Sequence, residues 1–105
     1  MIRGTTPTIT LKLPTTVSVS NITKATITIE QSGKCVVKKD TKSNTITMYE
    51  DTNTMAVELK QEESLLLSSR NKAYVQLKAK LKSGTVVSHP PIPMVVTDIQ
   101  DEEVL

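Results

Sequence analysis

Two stretches of the chain alternate apolar and polar residues with a period of two, the spacing that sends successive side chains to opposite faces of a strand. In Ala25-Thr26-Ile27-Thr28-Ile29-Glu30 the alanine and isoleucines share one face, and the threonines and glutamate the other. From Ala73 to Lys82 the inward set is Ala73, Val75, Leu77, Ala79 and Leu81, and the outward set is Tyr74, Gln76, Lys78, Lys80 and Lys82. Both are expected to be half-buried strands, the second with a lysine-rich solvent face. Shorter alternations predict four more: Thr8 to Leu13, with Ile9, Leu11 and Leu13 inward; Cys35 to Lys39, starting on its inward face; Thr45 to Glu50, with Ile46 and Met48 inward; and Met55 to Leu59, around Val57.

Turn residues fall between these segments. Ser32-Gly33-Lys34 is expected to close a hairpin between the second and third strands, Asp51-Thr52-Asn53-Thr54 to join the fourth and fifth, and Ser83-Gly84 to follow the long strand. A last strand from Thr85 to about Asp98 runs into His89-Pro90-Pro91-Ile92-Pro93. Proline donates no hydrogen bond to a ladder, which confines this stretch to a sheet edge or a bulge. Gln61-Glu62-Glu63-Ser64-Leu65-Leu66-Leu67 breaks the strand pattern with good helix formers and early acids that suit the helix dipole, and predicts one or two helical turns.

About seven short strands with a helical turn before the sixth predict an all-β, immunoglobulin-like Greek-key sandwich. In that arrangement the helix spans the gap between the sheets, because the fifth and sixth strands lie on different ones. A small barrel is the alternative. A chain of 105 residues supports one core, so residues 1–105 are read as a single domain. Residues 1–7 form an N-terminal arm and residues 99–105 a loose acidic tail.

Composition sharpens this picture. There is no Trp or Phe, only Tyr49 and Tyr74 are aromatic, and sixteen residues are threonine. The core must therefore be aliphatic, and the β-branched content favours strands. A net charge of +2 is too mild to indicate nucleic acid, and the scarcity of flat rings argues against sugar recognition. One cysteine permits no intrachain disulfide and no four-thiolate metal site, as expected of assembly in a reducing cytoplasm. Neither an export signal nor a membrane span is legible, so a soluble protein is expected.

Candidate chemistry is sparse. His89, the sole histidine, precedes two prolines and is expected to be an exposed loop residue; Cys35 is expected to be a buried small hydrophobe. No nucleophile and base pair up with them. Glu62 and Glu63 are adjacent in a helical turn and point apart, which suits stabilising the helix start better than acid–base work. Glu50, Asp51 and Asp40 lack the spacing of a calcium loop. Gly4, Gly33 and Gly84 are too isolated to cradle phosphate, and Asn21-Ile22-Thr23 is a glycosylation pattern discounted without an export signal. Lys78, Lys80 and Lys82, joined by Lys38, form a basic stripe that serves either as a solvated strand face or as a partner site. No enzyme, cofactor or metal is expected.

Three stretches carry a resemblance: Ile2-Arg3-Gly4-Thr5-Thr6-Pro7-Thr8 leading to Leu13-Pro14, the joint from Val57 to Leu66, and Ala73-Tyr74-Val75-Gln76-Leu77-Lys78 leading to Ser83-Gly84. Together they resemble small structural proteins of tailed phages and prophages of Gram-positive bacteria. The joint, strand and turn are similar to the amino-terminal sandwich domain of phage upper baseplate proteins. The resemblance implies a virion component of capsid, neck, tail or baseplate, assembled in the host bacterial cytoplasm. Its expected partners are other virion structural proteins or further copies of itself, with neither nucleic acid nor membrane involved. Expected assembly contacts are Arg3, Thr5, Thr6 and Thr8 in the arm, Lys78, Lys80 and Lys82 on the long strand, and Asp101, Glu102 and Glu103 in the tail. The competing expectation is an immunoglobulin-like adhesion or ligand-binding module.

Overall fold

The computed structural model describes residues 1–42, 45–98 and Val104, so the expected acidic tail lies, apart from Val104, outside the described residues. The described chain forms eight strands and one short helix: β1 (Thr8–Lys12), β2 (Ile22–Gln31), β3 (Lys34–Asp40), β4 (Ile46–Tyr49), β5 (Thr54–Glu58), α1 (Gln61–Leu65), β6 (Ala73–Leu81), β7 (Val86–Ser88) and β8 (Ile92–Met94). They make an all-β sandwich of two antiparallel sheets. The smaller sheet has the order β1-β5-β4; the larger runs β3-β2-β6, with β7 and β8 both paired to the free edge of β6.

Alternation explains the core. Ala25, Ile27 and Ile29 of β2 and Ala73, Val75, Leu77 and Ala79 of β6 are buried between the sheets, opposite Leu11 of β1 and Met55 and Val57 of β5. Each large aliphatic side chain so buried contributes about 1.5–3 kcal/mol, which fixes the register: slipping a strand by one residue would turn its whole apolar set outward. The helix crosses from β5 in the smaller sheet to β6 in the larger, as expected.

The placement of β2 differs from the immunoglobulin plan, where the second strand lies between the first and the fifth. Here it lies between β3 and β6, and β1 pairs directly with β5. The cause is local. Ser32 (φ 55°) and Gly33 (φ 77°) form a two-residue loop with both residues left-handed, and Gln31 faces Lys34 across it. So tight a hairpin keeps β2 and β3 neighbours in one sheet.

Bulges account for two further differences. In the β2–β3 ladder Ile29 faces Val37 but Glu30 faces Cys35, so Val36 is an extra residue. The bulge reverses the alternation: Cys35 is exposed rather than inward, and Val36 packs against the core in its place. The expected last strand is divided into β7 and β8. Lys78 faces Ser88 and Val75 faces Ile92, so His89, Pro90 and Pro91 oppose only Gln76 and Leu77. Proline's missing donor is accommodated at this edge, where His89 N–H still reaches Leu77 O (3.0 Å). The helix stops at Leu65, short of the expected Leu67.

Residues 1–7 are not a free arm. Ile2 bridges Thr97 in parallel, with Arg3 N–H donating to Thr97 O (3.0 Å) and Thr97 N–H to Met1 O (2.7 Å). The Arg3 guanidinium donates to the carbonyls of Leu67 (2.7 Å) and Leu65 (2.9 Å), satisfying oxygens that the end of so short a helix leaves open, and pairs with Asp98 (3.0 Å). The fully buried Ser64 hydroxyl accepts from Gly4 N–H (2.9 Å) and donates to Thr5 O (2.8 Å).

Candidate functional site

The outward residues of the larger sheet lie in rows across its strands. One row runs Asp40, Thr26, Lys78, Ser88; the next on one side contains Lys38, Thr28 and Gln76, and on the other Lys24, Lys80 and Val86. Around them lies an open depression of about 580 Å³ that includes Lys24, Lys38, Lys78 and Lys80, with Thr26, Thr28, Gln76 and Ser88 supplying hydroxyl and amide groups. The strands hold the four lysine stems in fixed positions. The exposed ammoniums are free: among the described residues none of the four side chains makes an ion pair or hydrogen bond.

Lys24 stands directly opposite Lys80, and like charges so placed disfavour the pairing. At about 7 Å in water the repulsion is roughly 0.6 kcal/mol, small enough for the domain to carry and removable by a bound anion. A bulge produces the arrangement. Ile22 faces Leu81 while Lys24 faces Lys80, leaving Thr23 as the extra residue, so Ile22 turns into the core and Lys24 out to the depression. Lys24 is the contributor missing from the expected basic stripe, and extending the β2 alternation back by one residue from Ala25 would have found it.

The expected assembly contacts divide into groups. Lys78 and Lys80 meet in the depression, joined by Lys38 as expected, whereas Lys82 lies past the end of β6, where its N–H donates to Asn21 O (2.8 Å). Arg3 is committed to the helix end and Asp98. Thr5 donates its hydroxyl to Ile2 O (2.6 Å), and Thr6 and Thr8 are exposed. Asp101, Glu102 and Glu103 lie outside the described residues.

A second cluster ties the larger sheet to α1. Lys39, inward on β3, is buried and pairs with Glu63 at 2.7 Å; their side chains are 8 % and 25 % exposed. Glu63 also accepts from Lys60 N–H (2.9 Å), the reach-back half of a capping box. Burial raises the Glu63 pKa, but the hydrogen bonds from Lys39 and Lys60 N–H, with both lysine charges, outweigh it and hold the carboxyl below its ordinary 4.5. Glu62 is exposed beside it. The pair is a structural brace: the Glu63 carboxylate is held at once by the Lys39 ammonium and the Lys60 N–H.

Other candidates do not converge. His89 is exposed, its Nδ1 3.0 Å from Pro90 O, and Cys35 Sγ approaches Val37 O at 3.6 Å. Among the described residues no three His, Cys, Asp or Glu side chains are grouped as a metal would require, so Asp40, Glu50 and Asp51 do not form such a group. Thr23 of the glycosylation pattern donates its hydroxyl to Lys80 O (3.1 Å).

No protein-family model matches the chain, and neither does any curated protein.

Proposed function

We propose that the chain is a non-enzymatic structural component of a tailed-phage virion, acting by packing against other proteins through the outer face of its larger sheet. The single observation that carries the packing half of this reading is the lysine depression. Four ammoniums without a partner among the described residues are held on strands around a depression lined by hydroxyl, amide and apolar groups, with two in direct opposition. Such a face gains from an acidic protein surface that neutralises it, and repetition in a symmetric particle multiplies a modest contact into high avidity. The virion half is supported by the resemblance of the arm, the Val57–Leu66 joint and the Ala73–Gly84 segment to phage structural proteins.

Particle composition tests the reading. Particles induced from a prophage host that carries the gene and purified by density gradient should contain the chain in many copies by quantitative mass spectrometry. Substituting Lys78→Glu and Lys80→Glu together should reduce its incorporation at least tenfold while leaving its circular dichroism and melting unchanged. Particles of full composition that lack the wild-type chain would remove the virion assignment.

A further inference from the structure

We infer that the lysine depression receives the acidic segment Asp101-Glu102-Glu103 of a second copy of the same chain, so that copies join head to tail. This deepens the packing reading and rests on it, naming the partner of the same face.

Charge is the first support. The face presents Lys24, Lys38, Lys78 and Lys80 around Thr26, Thr28, Gln76 and Ser88. The chain carries three consecutive acids at 101–103, whereas Asp98 is already engaged by Arg3. Lysines offer mobile point charges and the hydroxyl and amide groups offer additional hydrogen bonds, a combination suited to successive carboxylates on an extended segment. The net charge of only +2 leaves copies little overall repulsion to overcome.

Direction is the second support, and it distinguishes a neighbour from the chain's own tail. β8 runs from Ile92 opposite Val75 to Met94 opposite Ala73, so the chain leaves β8 heading away from Lys78 and Lys80. Seven residues separate Ala73 from Lys80, roughly 23 Å along a strand. The direction of β8 thus favours a neighbour's acids over the molecule's own at the Lys24–Lys80 pair, the part of the depression farthest along β6 from β8. Because the depression of one copy takes the acidic segment of another, two different elements meet, the heterologous kind of contact that repeats into rings or filaments.

Reciprocal charge reversal tests this on the full chain by sedimentation velocity. In about 20 mM salt the wild type should pass from its 11.5 kDa monomer to larger species as concentration rises from roughly 10 µM to 1 mM, and return to monomer in about 0.5 M salt. One variant carries Lys78→Glu and Lys80→Glu, the other Asp101→Lys, Glu102→Lys and Glu103→Lys, and each alone should lose at least tenfold in association. Mixed in equal amounts, they should recover it, because the acidic depression of one accepts the basic segment of the other. Far-UV circular dichroism verifies that both fold; Lys78→Gln with Lys80→Gln, which should show the same loss, replaces the first if it does not. A wild type monomeric throughout, or a mixture that fails to recover, would overturn the inference. Association that survives both reversals would also overturn it while leaving the packing reading intact. Absence of the chain from particles despite head-to-tail association would remove the virion assignment alone.

Discussion

Unequal consequences are expected from breaking the Lys39–Glu63 brace from its two ends. Glu63→Ala takes the carboxylate from both Lys39 Nζ and Lys60 N–H. The Lys39 side chain, 8 % exposed, is left with a buried ammonium lacking its counter-charge, a type of loss that costs about 3–5 kcal/mol. Its flexible stem can carry the charge part-way to water, which places the expected loss near the lower bound, about 3 kcal/mol. Lys39→Met keeps the buried volume and removes the charge. Glu63 is then still bonded to Lys60 N–H and 25 % exposed, so the loss should be about 1 kcal/mol. In the double variant no ammonium is stranded, and its stability should lie close to that of Lys39→Met, a coupling of about 3 kcal/mol. Urea unfolding followed by far-UV circular dichroism measures all four proteins. Acidification supplies a second test. The Glu63 pKa is lower in the folded state than its ordinary 4.5, so the folded chain resists protonation there more than the unfolded chain does. The pair's contribution is therefore complete above pH 4.5 and drains away as pH falls from there through the folded pKa. Lys39→Met should lose less stability than wild type across that interval. Equal costs for the two single variants, or costs that simply add in the double, would refute the argument.

Arg3→Ala should destabilise the domain by about 2–4 kcal/mol, since two carbonyls and a carboxylate lose a charged donor; hydrogen exchange should show the amides of α1 opening first. Asn53→Ala should cost about 2–3 kcal/mol in urea unfolding, because the Asn53 side chain accepts from Val19 N–H and donates to Val17 O, and its φ of 53° is poorly tolerated by alanine. Gly33→Ala meets no atom within 4 Å, so its effect is purely conformational, with a loss of about 1 kcal/mol at φ 77° read from the same melts. Cys35 should react with a disulfide reagent in the folded protein at a rate within about tenfold of that in denaturant, given its exposure; strong protection would contradict the β2–β3 bulge.

The strands with unbroken alternation were legible in the sequence, because a period of two over β2 and β6 leaves few other ways to bury their aliphatic residues. The proline run announced its edge position for the same kind of reason, a missing donor. Bulges left no such mark. Val36 and Val37 suit a strand equally, and only pairing with β2 decides which is the extra residue, so Cys35 was assigned to the wrong face. Lys39 was illegible because charge ordinarily indicates solvent, and its carboxylate partner is 24 residues away. Arg3 similarly acts through carbonyls more than sixty residues distant, a relation that composition cannot express. At the candidate site, Lys78, Lys80 and Lys38 could be read from alternation, whereas gathering Lys24 with them required the β2–β6 register.

The parallel bridge between Ile2 and Thr97 has a mechanical consequence. Chain enters this paired segment at one end and leaves it at the other, so tension applied along the polypeptide drags the two pieces past each other lengthwise. The two backbone bonds and the guanidinium clasp then resist together instead of tearing in succession. The contact that meets such tension lies outside the two sheets, between the first and last parts of the described fold.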